Sequence, residues 1–438
     1  MKRLSVAIVA TALVASPAAS TPYCDALMHE SQLERRYQRL APIFSHTGAG
    51  WIFTSDQLDE DFQMKAEADA LMEDVIGEFA RRDIPLAILV APPRAVVAGQ
   101  DIVDLTLGSI GQYNVDDARQ SFSDFLTQLR QGGAVVPDLM AVATAESPTP
   151  FYFQRDSHWT NTGAARSALA LANALGMQAT FDLVDIASSE MFQERGSLSD
   201  IVDATCGYRA VSEATPQFNY TVLTEQSDSN LLGSTRNTQF ALLFGTSFSD
   251  RYRRDQYQVA DAFSSALGIE LINESVSGGG LIGPLEAFAL SGGFEVERPD
   301  LVIWEFPYTE VPQASALRQL LGAMRANDSA LLSQHRLDVI EDSLTLFLDS
   351  SVSNSNLLHV RLNTPEARWL KIDLYFPDGQ KHTIQLRRKN SMAARGQFED
   401  WWVDIHDVDD GMPEKIRFRF DTSVDVSNVE INFMRYLH

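Results

Sequence analysis

Residues 240–249 read Phe-Ala-Leu-Leu-Phe-Gly-Thr-Ser-Phe-Ser. The five apolar residues Phe240 to Phe244 leave no polar face for water. Such a run suits a strand buried on both sides, as in a parallel sheet covered by helices. Gly245 allows a tight turn at the strand's end. Ser247 then projects at the sheet's carboxyl edge, where open α/β sheets bind ligands. A serine on a strand-to-helix turn can also set its own N–H against an oxyanion. Gly-x-Ser turns are common, however, and a serine there serves equally well as a helix cap.

The same reading extends outward in both directions. Leu86 to Ala91 is another continuous apolar run, closed by Pro92-Pro93, and Ala134–Val136, Ile269–Ile272 and Leu301–Trp304 are shorter ones. Helical spacing lies between them. Phe62, Ala66, Ala70, Val75, Ile76, Phe79 and Ala80 form one stripe, and Phe122, Phe125, Leu126 and Leu129 a second, stopped by Gly132-Gly133. A third helix runs through Ala164, Ala168, Leu171 and Leu175, capped by Thr160 or Asn161 and closed by Gly176. Helix alternating with buried strand predicts an α/β domain with a mostly parallel sheet and flanking helices. The polar stretch 207–238 reads as an irregular excursion.

Beyond residue 311 the pattern changes. Leu317, Leu320, Leu321 and Met324 share one face and predict a helical connector over 312–335. A period of two then takes over at Leu370, Ile372, Leu374 and Phe376. After a Pro377-Asp378-Gly379 turn it continues at Thr383–Leu386, Ile416–Phe420 and Val429–Phe433. This predicts a C-terminal antiparallel β-sandwich over 336–438. The first domain then covers 21–311.

The N-terminus differs from the rest. Lys2 and Arg3 precede an apolar run from Leu4 to Val14, and Pro17 precedes Ala18-Ala19-Ser20. This is the layout of a cleaved secretory signal over 1–20, too short to span a bilayer. An uncleaved anchor is the other reading. A periplasmic location and no transmembrane segment in the mature chain follow. In an oxidising compartment Cys24 and Cys206 can pair; two free thiols are the alternative. Neither cysteine has zinc-type neighbours, and no metal or cofactor is expected. The chain's 438 residues carry a formal charge of −24, which argues against a nucleic-acid partner.

A second stretch carries chemistry: Arg155-Asp156-Ser157-His158-Trp159-Thr160-Asn161. Asp and His two apart, just before a helix start, can place the carboxylate on one imidazole nitrogen and turn the other towards a nucleophile. That makes Ser247, His158 and Asp156 the candidate catalytic set. Asn273 and the run Ser277-Gly278-Gly279-Gly280 follow the next strand, where backbone N–H groups can approach a substrate. Ser247, Asn273, Gly278 and Gly279 are therefore the candidate oxyanion groups. Pro299–Pro307 reads as a core strand from whose end Glu305 and Tyr308 can reach the site.

Gly-Trp-Ile-Phe at 50–53, Asp-Ser-His-Trp at 156–159, Gly-Thr-Ser-Phe-Ser at 245–249, the glycines at 278–280 and Val-Ile-Trp-Glu-Phe-Pro at 302–307 occur in that order. Together they resemble the alginate O-acetyltransferases of the AlgX and AlgJ type, within the SGNH-hydrolase-like superfamily. The C-terminal sandwich extends the likeness towards the AlgX type. The resemblance implies an acetyl-enzyme on Ser247, with His158 as base and then acid and Asp156 orienting it. It also implies a disulfide in the catalytic domain, a carbohydrate-binding module, and a membrane-bound acetyl donor within an export complex. Ordinary SGNH enzymes place the serine block first; here the Asp/His pair precedes it, as in the AlgX and AlgJ group. The usual SGNH oxyanion asparagine has no clear counterpart.

Arg155, Tyr252 and Arg253 are candidate substrate contacts, although the run after Ser249 does not align cleanly with the family's substrate positions. In the sandwich, Arg387, Arg388, Lys389, Arg395, Trp401 and Trp402 set basic residues beside aromatics. That combination suits an anionic sugar chain. Core tryptophans and a solvated strand end are the alternative. The expected function is acetyl transfer to hydroxyls of an alginate-like exopolysaccharide. An acetylesterase with the same triad and a non-catalytic polysaccharide-binding scaffold remain open.

Overall fold

A computed structural model describes residues 23–437, apart from 46–49, 107–112, 222–238, 340–342, 349–351, 353–354, 396–398, 407 and 409–412. The expected signal segment lies outside the described residues.

The central sheet is parallel, in the order Leu86–Ala91, Leu301–Pro307, Phe240–Phe244, Glu270–Asn273. Every residue of the first three strands is buried. A fully buried Leu, Ile, Val or Phe contributes about 1.5–3 kcal/mol, so these apolar runs take the covered middle of the molecule. The fourth strand is half-buried and forms an edge. Val135 joins the opposite edge through a single parallel bridge to Ala87, where a short strand was expected.

Helices cover both faces where their apolar stripes demand it. Val115–Gln131 starts at Asn114, whose side chain accepts the N–H groups of Asp116 and Asp117. Asn161–Ala174 starts at Thr160, which accepts the Gly163 N–H. The Ala66–Arg81 helix begins later than the stripe suggested. Phe62 is buried ahead of it, its N–H donating to Ser121 Oγ at 2.9 Å. Part of the presumed irregular excursion is ordered: Glu213–Phe218 pairs antiparallel with Ala187–Glu194. Neither strand has a clean apolar alternation, so there was no period to detect.

The C-terminal region forms two four-stranded antiparallel sheets around one apolar core. One runs Ser343–Phe347, Lys415–Phe420, Trp369–Tyr375, Lys381–Arg387. The other runs Asp400–Asp404, Leu357–Leu362, Asn428–Tyr436, Ser329–Asp338. The connector helix is shorter than expected, Ala314–Arg325, and the Ser329–Asp338 strand crosses the expected division at 335. That strand lies at a sheet edge with no fully buried residue, so no apolar stripe marked it.

The connector helix also joins the two halves. Arg318 donates to the carbonyls of Asp404 and His406, and Gln319 exchanges two hydrogen bonds with the Arg387 backbone. Arg325 bridges Glu78 of the first helix and Asp404 of the sandwich.

Candidate active site

The Asp-Ser-His stretch is a tight loop closed by its own backbone. Tyr152 bridges Trp159, and the Thr160 N–H donates to Phe151 O at 2.9 Å. Asp156 sits at the bend with no exposure. Its Oδ1 accepts the His158 N–H at 2.9 Å and lies 2.5 Å from Nδ1. That contact assigns the ring proton to Nδ1 and leaves Nε2 as the acceptor. Nε2 faces Ser247 Oγ at 2.7 Å.

Three other elements hold this loop. The ribbon carboxylate Glu213 accepts the N–H groups of Gln154 and Arg155 at 2.7 and 2.8 Å. The Ser197 N–H, at the start of the Ser197–Cys206 helix, donates to Asp156 Oδ2 at 2.6 Å. Buried Arg94 donates to the carbonyls of Ile52, Phe153 and Gln154 and to Gln57. The Gly-Trp-Ile-Phe segment thus supports the site through Arg94, which donates to the Ile52 carbonyl and lies over the Trp51 and Phe53 rings.

Ser247 sits on the turn after its strand. The Thr246 carbonyl accepts the N–H groups of Ser249 and Asp250. The Trp159 indole donates to Phe248 O at 3.0 Å, tying the serine turn to the histidine loop. Glu305 lies directly beneath and binds Thr246 and Ser249. A Cβ at Gly245 would stand 2.4 Å from Glu305 Oε2, so only glycine admits this carboxylate. Among the described residues, no acceptor takes the Ser247 N–H.

Electrostatics set the protonation states. Burial acts to raise the Asp156 carboxyl, but His158, Arg251 and the Ser197 N–H outweigh it and hold it well below the usual range. Burial pushes the His158 imidazole below its ordinary value, and Arg251 and Arg94 add to that against the Asp156 charge. An ionised Asp156 beside a neutral His158 is the starting state a general base needs.

Several candidate residues fall elsewhere. Asn273 donates one amide N–H to Ser249 O and accepts the Ser275 N–H, so it shapes the turn after the nucleophile. The Gly279 N–H donates to Val276 O, and Gly278 lies beside Ser391 of the sandwich. The Gly279 N–H is therefore not free to hold an oxyanion. Glu305 and Tyr308 are buried supports rather than substrate contacts. Arg155 is held by Val211 O and Glu213. Trp401 is buried under the Arg388 guanidinium, which pairs with Glu286 at 2.8 Å, and Arg395 pairs with Glu274. Trp402 stacks on His359 at 4.2 Å. Tyr252 is exposed, and Arg253 lies over its ring at 5.1 Å. Arg387 lines a hollow of about 500 Å³ with Gly279, Gly280, Arg388 and Lys389, at the junction of the two halves. Glu213, Arg94 and Arg251 were not singled out from sequence. Only Arg251 carried a signal, its place in the basic run after the serine.

Cys24 and Cys206 are bonded, with Cα atoms 5.8 Å apart. The bond suits an oxidising compartment outside the cytoplasm. No helix among the described residues is long and apolar enough to cross a membrane.

Residues 46–308 match the family model described as the SGNH hydrolase-like domain of the acetyltransferase AlgX. The chain belongs to this family. The alginate biosynthesis protein AlgX of Pseudomonas aeruginosa is 24% identical over 411 residues, covering 88% of this chain and 84% of that protein. The probable alginate O-acetylase AlgJ of the same organism is 26% identical over 296 residues, covering 62% of this chain and 71% of that one. The solved structure of Pseudomonas aeruginosa AlgX superposes with a TM-score of 0.71 at 20% identity, covering 95% of this chain and all of that one. The fold therefore extends to both halves: an SGNH-like domain and an antiparallel C-terminal module.

Proposed function

We propose that this chain is a periplasmic O-acetyltransferase that modifies an alginate-like exopolysaccharide through an acetyl-Ser247 intermediate. The observation that carries this reading is the continuous hydrogen-bonded line Asp156–His158–Ser247, within an acetyltransferase family. A serine hydroxyl is a weak nucleophile and needs a base, and neutral His158 Nε2 stands at hydrogen-bond distance to supply one. Ser247 Oγ attacks the acetyl carbonyl while its proton passes to Nε2. That proton then leaves with the donor's departing group. In the second half a sugar hydroxyl gives its proton to His158 and attacks the acetyl-serine; the imidazolium returns that proton to Ser247 Oγ as it leaves, and the sugar carries the acetyl away. The Ser247 N–H, which no described residue accepts, is suited to the oxyanion in both halves.

The relatives' names direct the choice of polymer to alginate. The hollow at the domain junction, where Arg368, Arg387, Arg388 and Lys389 outnumber Glu286 and Glu310, is suited to an anionic chain, with the module as its continuation. The acetyl donor is a membrane-bound protein of an export complex, reached after the signal segment is removed. Intact-mass measurement with a chromogenic acetyl ester tests the reading. One acetyl should appear on the wild type and none on Ser247→Ala, and the adduct should discharge onto alginate faster than onto water. Discharge to water alone would make the chain an esterase; no adduct and no turnover would leave a binding scaffold.

A further inference from the structure

The turn that carries Ser247 also carries Arg251, four residues on. Arg251 is nearly buried, with 7% of its side chain exposed. Its Nη1 and Nη2 donate to Asp156 Oδ1 and Oδ2, both at 3.1 Å. The two turns are therefore joined three times, by Ser247 to His158, by the Trp159 indole to Phe248 O and by Arg251 to Asp156. Together with the His158 N–H, the His158 ring and the Ser197 N–H, Asp156 receives five donors. The carboxylate has no freedom left to rotate.

We propose that Arg251 is a positioning residue, whose guanidinium locks Asp156 from the nucleophile's own turn and offsets part of the carboxylate's charge at the imidazole. The proposal rests on the triad reading of Ser247 and His158. An aspartate behind a catalytic histidine stabilises the imidazolium; a permanent cation on that same aspartate opposes it. The other groups facing this pair leave the balance intact. Glu194 of the ribbon stands 3.7 Å from Arg251, and burial raises its carboxyl. The Tyr257 ring packs 4.1 Å from the guanidinium. Arg94 adds a second buried positive charge. Burial and these cations therefore favour the neutral imidazole, the form that can take the serine proton.

The test is an NMR titration of labelled imidazoles in the full chain, with His158→Gln assigning the signal among the eight histidines. In the wild type His158 should titrate below the ordinary value of about 6.5. Arg251→Gln should raise its midpoint by about one unit or more, the size expected for losing a neighbouring charge. Arg251→Lys should bring it most of the way back. The acid limb of acetyl-ester turnover should move in parallel, which a merely structural loss would not cause. A wild-type midpoint at or above 6.5 would overturn the proposal, even if Arg251→Gln does not fold. So would an unchanged midpoint in folded Arg251→Gln. The expected shift without acetylation of Ser247 would keep the charge relation and reject the transferase reading instead.

Discussion

Glu305 holds Thr246 twice: its Oε2 accepts the Thr246 N–H at 2.9 Å and its Oε1 the Thr246 hydroxyl at 3.0 Å. The residue bound in this way directly precedes the nucleophile, and the carboxylate is fully buried. Burial pushes its pKa up to about 7, against the donors of Thr246 and Ser249. Between the ordinary 4.5 and about 7 the folded protein holds a proton that the unfolded chain has lost. Stability must fall as pH rises through that window and level off above it, by about 3 kcal/mol in all. Glu305→Gln cannot ionise; its oxygen can still accept the Thr246 N–H, and its NH2 can donate to the Thr246 hydroxyl. Relative to wild type it should gain about 2–3 kcal/mol between pH 5 and pH 8 in urea unfolding. An equal difference at both pH values would show that Glu305 does not titrate there.

Ser247→Ala should abolish acetyl-ester turnover. His158→Ala should lower kcat by about a thousandfold or more, with circular dichroism unchanged. Because the groups act as a unit, the double variant should be scarcely worse than either single one. Wild-type rates in a folded Ser247→Ala protein would remove Ser247 from the mechanism.

The disulfide closes a separation of 182 residues. Chain entropy alone allows about 5 kcal/mol for a loop of that size. The helix it anchors begins at Ser197, whose N–H holds Asp156. Cys206→Ser should therefore lower Tm by several degrees and also reduce ester turnover. A large fall in Tm with kcat unchanged would separate the bond from the site.

Asp404 ties the two halves together. It is buried and accepts from Arg325 at 2.5 Å, with Arg318 at 3.7 Å. Burial raises its carboxyl even against these cations. Asp404→Ala should leave Arg325 with Glu78 as its main partner and cost about 3 kcal/mol. Calorimetry of the wild type should show one joint transition, and the variant should begin to split it. Unchanged unfolding of Asp404→Ala would mean that the network adds little to the coupling.

What the sequence determined by itself was local. Phe240–Phe244 and Leu86–Ala91 can only be strands covered on both faces, because unbroken apolar runs have nothing to show to water. Asp156 and His158 are two residues apart, so one bend brings the carboxylate to the ring whatever surrounds it. The alternation at Leu370–Phe376 set the character of the C-terminal module in the same way. Where strands lacked a buried face, as in Ser329–Asp338 and the Glu213 ribbon, no period existed to read.

The tertiary structure alone decided which distant groups serve the site. Arg251 meets Asp156 across 95 residues, and Glu305 reaches Thr246 across 59. Glu305 stands out as the one charge in an apolar strand and Arg251 lies in a basic run, but neither feature says which group it meets. Glu305 owes its role to sheet order, which sets the Leu301–Pro307 strand beside Phe240–Phe244, and Arg251 owes its role to the packing of the serine turn on the histidine loop. The same order turned Glu305 and Tyr308 inward, and Trp401 lies buried beneath Arg388 at the junction of the two halves. A charged side chain near a catalytic motif can face substrate or support. The choice between them rests on what packs against it, and that is a property of the assembled fold.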